Sequence, residues 1–132
     1  MIGSVSRTAQ LLKQADHVLI LTHRRPDGDT TGSAGALCQA LRKLGKTAYL
    51  AENQGVTRRY AHLVEPYYAP EGFQAQIIVA VDVAAQDMLP PEMQQYAECV
   101  DVVIDHHKFN PCFGKKDNLI GGEFGACAEI IW

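Results

Sequence analysis

Three short apolar runs, each ending on acids or imidazoles, constrain this chain more than any other feature. His17–Thr22 is followed by His23, Gln76–Val81 by Asp82, and Cys99–Ile104 by Asp105, His106 and His107. The first two suit strands covered on both faces, and the third reads as a further strand. The stretches between them carry helical spacing. Residues 5–15 place Val5, Ala9, Leu12 and Leu11 on one side of a helix. Thr30 or Thr31 is placed to cap a second helix running to Leu44, with Ala34, Leu37, Leu41 and Leu44 on its buried stripe and Gly45 as its terminator.

The remaining elements continue the alternation. Thr47–Ala51 reads as a short strand, residues 57–64 as a short helix, and Leu119–Ile120 as a last short strand. Pro90 and Pro91 open a helix of about seven residues, a position where proline is tolerated. A final helix starts near Gly125 and is still running at Trp132. Strands alternating with helices predict an α/β fold: a parallel, doubly wound sheet with helices on both faces. Ligands bind such sheets beyond the carboxyl ends of the strands.

Composition narrows the function classes. The 132 residues suffice for one packed core, and 47% hydrophobic with 20% charged residues is ordinary globular usage. With 12 Lys plus Arg against 15 Asp plus Glu, the net charge of −3 argues against a uniformly basic nucleic-acid-coating protein. The apolar runs are too short to span a bilayer. Residues 1–13 show no charged start followed by an apolar stretch, so the expected location is the cytoplasm. Cys38, Cys99, Cys112 and Cys127 have no CxxC spacing and are expected to be free, buried thiols.

The chemistry-bearing residues fall at the run ends. The first gives His23, Asp27 and Asp29, the second Asp82, the third Asp105, His106 and His107. In a parallel sheet all three ends share one edge. Carboxylates gathered there repel one another, and divalent cations relieve the repulsion. Imidazoles mixed with carboxylates suit manganese, zinc or iron, and a carboxylate-rich set leans toward manganese or magnesium. The donors outnumber the needs of one ion, so two ions roughly 3.5–4 Å apart, bridged by a shared carboxylate, are the expected solution. Gly28 is read as permitting a tight turn between Asp27 and Asp29. The small residues Thr31, Gly32, Ser33 and Ala34 open the next helix, whose N-terminus favours an anion.

Each feature alone has an ordinary structural reading. Pro-Asp-Gly is a common turn, an aspartate at a strand end is a common cap, and an adjacent histidine pair is weak evidence for a metal. Their succession after three apolar strands is what points to metal binding. Arg24, Arg25 and Lys108 flank the motifs and are placed to touch phosphates. Arg58, Arg59, Lys115 and Lys116 read as solvated surface, and Tyr67, Tyr68 and Phe73 as core.

The ordered set resembles a known family. HRRPDGDTTGS, His23 to Ser33, is similar to the first motif of the DHH phosphoesterases, HxxPDGDxxGS. Asp82 resembles the second motif, Asp105-His106-His107 the motif that names the family, and GACAEIIW the segment that follows it. The resemblance runs from about residue 15 to the end, and it looks nearest to the bacterial oligoribonuclease and pAp phosphatase branch. It implies a two-manganese hydrolase, with Mg2+ or Co2+ as substitutes. His23 and Asp27 would ligate one ion, Asp29 and His106 the other, and Asp82 would bridge them. His106 and His107 would serve catalysis, with His107 facing the substrate phosphate and Asp105 orienting the histidines. Water, not a side chain, would be the nucleophile.

The resemblance also implies substrates: very short oligonucleotides such as dinucleotides, or pAp. It implies that residues 1–132 are the N-terminal catalytic domain, ending before a fourth motif and a substrate-gripping C-terminal domain. A manganese inorganic pyrophosphatase is the alternative enzyme, and a non-catalytic metal- or nucleotide-binding module is the alternative from another class. Exposed Trp132 and an open sheet edge leave homo-oligomers open as partners.

Overall fold

The computed structural model describes residues 1–132. Five strands form one fully parallel sheet: β1 (Val18–Leu21), β2 (Ala48–Leu50), β3 (Ile77–Val81), β4 (Val102–Asp105) and β5 (Asp117–Ile120), in the order β2-β1-β3-β4-β5. Three α-helices accompany it: α1 (Val5–Gln14), α2 (Gly28–Lys43) and α3 (Cys127–Ile131). The predicted α/β class and parallel sheet are both present. Every residue of β1 and β3 is buried, as their unbroken apolar runs require.

Successive strand residues feed two cores on opposite faces. Val18, Ile20, Val79, Val81, Val102 and Ile104 pack with Leu12 of α1, Leu37 and Leu41 of α2 and Ile130 of α3. Leu19, Leu21, Ile78, Ala80 and Val103 pack on the other side with Leu89, Met93, Ala97 and Val100. Each buried Leu, Ile, Val or Met contributes about 1.5–3 kcal/mol relative to exposure, so both faces matter to stability. The second face is covered by 3-10 helices rather than α-helices, Gln86–Met88 and Pro91–Cys99. Side chains tie these turns down: Gln86 Nε2 donates to the Ala97 carbonyl at 2.7 Å and Gln94 Nε2 to that of Leu89 at 2.8 Å.

Several expectations shift. Residues 57–64 form turns with a 3-10 helix only at Ala61–Leu63. The Pro91 helix runs to Cys99, and β4 starts later than the expected Cys99, at Val102. The cap of α2 is Asp27, not Thr30 or Thr31: its carboxylate accepts the Thr30 N–H at 3.0 Å. Leu44 is 55% exposed because α2 ends at Lys43, leaving Leu44 beyond the buried stripe. On α1, Leu12 is buried and Leu11 packs against the core as expected, but Val5 and Ala9 are exposed, and Thr8 is buried in their place. All four cysteines are free, but only Cys38 and Cys127 are buried, and Cys99 is exposed. Tyr67, Tyr68 and Phe73 pack against the cores as expected. No helix is long and apolar enough to cross a membrane.

Candidate metal centre

β1 and β3 lie side by side, while the chain leaves β1 outward to β2 and returns for β3. Their carboxyl ends therefore flank the point where strand order reverses, the usual ligand crevice of an open parallel sheet. His23 follows β1 and Asp82 follows β3. Buried Asn53 fixes the backbone at His23: its Nδ2 donates to Thr22 Oγ1 at 2.8 Å and to the His23 carbonyl at 2.9 Å, while its Oδ1 accepts the Gly55 N–H at 2.9 Å. The His23 Nδ1 accepts the Arg25 N–H at 3.1 Å.

Gly28 is the first residue of α2 and has no positive φ, so it does not serve the tight turn expected of it. Its role is spatial, because a Cβ there would sit 3.3 Å from the Tyr60 ring. Asp82 is the site residue in the left-handed region, with φ at +61°; His17 and Cys112 share that conformation elsewhere. Aspartate is among the few residues that tolerate this left-handed region. Its N–H donates to the Ile104 carbonyl at 2.9 Å, which locks the strand end.

Asp82 is 2% exposed and takes a 2.6 Å hydrogen bond from the Thr30 hydroxyl at Oδ2. Its other oxygen, Oδ1, is buried and has no hydrogen-bond partner, although His106 Nε2 lies 3.3 Å away. Burial pushes the Asp82 carboxyl above its ordinary range; the Asp29 charge adds to this, and the Thr30 bond and the two histidines oppose it. Asp27 moves the other way. Burial would raise it, but the Thr30 N–H, the Thr30 hydroxyl and His23 together hold it below the usual value.

The third strand end is fully organised by hydrogen bonds. Asp105 is completely buried, and its Oδ1 lies 2.7 Å from Nδ1 of half-exposed His107. Its Oδ2 accepts from Asn110 Nδ2 at 2.8 Å, and the same amide donates to the Val83 carbonyl at 3.0 Å. Asn110 thus joins the loop after β3 to the loop after β4.

The ligand atoms of His23, Asp27 and Asp82 lie within 4.8 Å of one another, and so do those of Asp82, Asp105, His106 and His107. Asp82 belongs to both groups. Asp29 belongs to neither: its oxygens accept the Cys127 and Ala128 N–H groups at 2.9 and 3.0 Å, with Oδ2 3.7 Å from His106 Nε2. It holds the start of α3 against the site. Arg24, Arg25 and Lys108 are exposed, and Lys108 lies along Gly122. Burial and the neighbouring Asp82, Asp29 and Asp105 charges push the Cys127 thiol far up, which keeps it an inert neutral group. Sequence reading missed the contributions of Thr30, Asn53 and Asn110. All three are short polar residues, Thr30 inside the first motif, Asn110 just after the third and Asn53 just after β2, a signal that distinguishes them little from turn residues.

A buried carboxylate oxygen without a partner, surrounded by imidazoles and further carboxylates, is a donor set that fits a divalent cation. Fold and site together define a parallel α/β domain that presents an acid and imidazole cluster at the switch point of its sheet. The chain belongs to the DHH family: the model of that family's N-terminal domain matches residues 17–132. It is 34% identical over 126 residues to the bifunctional oligoribonuclease and PAP phosphatase NrnA of Thermus thermophilus, a match covering 93% of this chain and 38% of that protein. The crystal structure of an exopolyphosphatase-related protein from Bacteroides fragilis has the same fold, with a TM-score of 0.73 at 19% identity over 96% of this chain and 41% of that one.

Proposed function

We propose that this chain carries the cation site of a phosphoesterase acting on very short oligonucleotides or pAp. The observation that carries the reading is Asp82, the one carboxylate common to both donor groups, with a buried oxygen left without a hydrogen bond. The family membership and the likeness to the Thermus protein support the same reaction class. His23, Asp27 and Asp82 would hold one cation and Asp82 and His106 a second, which Asp29 would join from its place 3.7 Å from His106 Nε2, with manganese as the first choice and Mg2+ or Co2+ as substitutes. Bound cations would neutralise phosphate charge and supply a nucleophilic water at neutral pH.

The chain's own residues provide the rest. Asp105 Oδ1 is placed to orient the His107 ring through Nδ1, so that Nε2 of the half-exposed ring would hold or give a proton at a phosphate oxygen. Arg24, Arg25 and Lys108 project into solvent beside the cluster, where they would bind phosphate. Asp29 keeps α3 docked while facing His106. The test is hydrolysis of a dinucleotide and of pAp by the chain with manganese, against pyrophosphate. Dinucleotide turnover that a chelator abolishes and Asp82→Ala eliminates is expected. Turnover of pyrophosphate alone would move the chain to the pyrophosphatases, and full activity in Asp82→Ala would end the metal reading.

A further inference from the structure

Thr30 is fully buried, yet it is a polar residue in the first turn of a helix whose cap is already supplied by Asp27. Its hydroxyl touches every member of one donor group. Oγ1 lies 2.6 Å from Asp82 Oδ2, 3.0 Å from His23 Nε2 and 3.1 Å from Asp27 Oδ1. A hydroxyl has one proton to give, and the shortest contact identifies Asp82 as its recipient. The contact with His23 Nε2 completes the set.

The consequence concerns the plane of the Asp82 carboxylate. Asp82 turns one oxygen to each donor group. The Thr30 bond pins Oδ2 toward His23 and Asp27, and so leaves Oδ1 toward His106 and His107, 3.3 and 4.0 Å away. No other hydrogen bond to the Asp82 side chain exists to hold that plane. Thr31 does not share the role, because its hydroxyl is spent on the Asp27 carbonyl at 2.8 Å.

We propose that Thr30 is a positioning residue that sets the orientation of the shared Asp82 carboxylate, and through it the cation affinity of both donor groups. The inference rests on the metal reading above. Removing a partner that orients a ligating carboxylate typically costs about 10–100-fold in metal affinity.

The test is equilibrium titration of the metal-free 132-residue chain with Mn2+, comparing wild type, Thr30→Val and Thr30→Ser. Valine keeps the volume without the hydroxyl, and serine keeps the hydroxyl. Thr30→Val should bind Mn2+ about 10–100-fold more weakly, and Thr30→Ser should stay within about threefold of wild type. If Thr30→Val fails to fold, as judged by circular dichroism, Thr30→Ala against Thr30→Ser makes the same comparison, since both leave a void and only serine keeps the bond. Equal affinity with and without the hydroxyl, in a wild type that binds Mn2+, would overturn the role of Thr30 alone. A wild type that binds no Mn2+ would overturn the metal reading and this inference with it.

Discussion

Asp105 Oδ1 lies 2.7 Å from Nδ1 of His107, and the carboxylate is completely buried while the imidazole is half exposed. This contact holds the ring by Nδ1 and leaves Nε2 as the nitrogen that Asp105 does not engage. Asp105→Asn keeps the shape and removes the charge. It should lower kcat for a dinucleotide by about 10²–10³-fold, with a smaller change in KM. Asn110→Ala, which frees Asp105 Oδ2 and the Val83 carbonyl, should lower kcat by about tenfold through the same ring. Steady-state kinetics across pH would check both, and an unchanged pH profile in Asp105→Asn would remove His107 from proton transfer.

Asp82 should make the metal-free chain less stable as pH rises. Its folded pKa is raised above the ordinary 3.8 by burial first, then by Asp29. Between those two values the folded state holds more protons than the unfolded one, so stability falls through that window and levels off above it. Asp82→Asn removes the buried charge, keeps an acceptor for Thr30 and tolerates the positive φ. It should raise metal-free stability at neutral pH by about 1–2 kcal/mol while abolishing Mn2+ binding. In the wild type, Mn2+ at a hundred times its Kd should add about 2.7 kcal/mol, and in Asp82→Asn nothing. Urea unfolding with and without the ion reads all of these.

Away from the site, the Thr8 hydroxyl donates to buried Asp117 Oδ2, with Arg7 3.6 Å from Oδ1, and so ties α1 to β5. Thr8→Val should destabilise the chain by about 1–3 kcal/mol by stranding a buried carboxylate oxygen. Mn2+ affinity should not change, because the pair lies on a different part of the sheet from His23 and Asp82. Loss of metal binding without loss of stability would contradict this separation.

Thiol labelling should follow exposure. Cys99 should react first with iodoacetamide, and Cys38 and Cys127 only on unfolding. Burial raises both of the latter pKa values, which removes the reactive thiolate. Mass spectrometry of the labelled native chain checks the order.

The strands and their terminal motifs were legible because each apolar run is short and followed by an acid or an imidazole, although Asp101 interrupts the third and its strand begins only at Val102. Parallel pairing then placed His23, Asp82 and Asp105 on one edge. What stayed illegible was decided by contacts between distant segments. Nothing near Asp29 in sequence announces that its carboxylate caps Cys127 and Ala128. Nothing near Thr30 distinguishes a helix cap from a hydroxyl aimed at Asp82, since threonine serves both. The Pro91–Cys99 segment carries a helical pattern but winds as a 3-10 helix, held by side-chain bonds from Gln86 and Gln94 that no periodicity encodes.

The order β2-β1-β3-β4-β5 has a kinetic consequence. Every strand pair is parallel, so each needs a crossover, and loop closure must precede the contacts that reward it. The pairing of β1 with β3 joins Val18 to Ile77 across the intervening α2 and β2. His23 and Asp82 therefore meet only after the slowest pairing in the sheet is made. A partly assembled chain has no complete donor set, and an ion that binds the finished arrangement slows its unfolding more than it speeds its formation. A cation held at that arrangement would thus lengthen the lifetime of the fully paired sheet and leave partly paired forms unchanged.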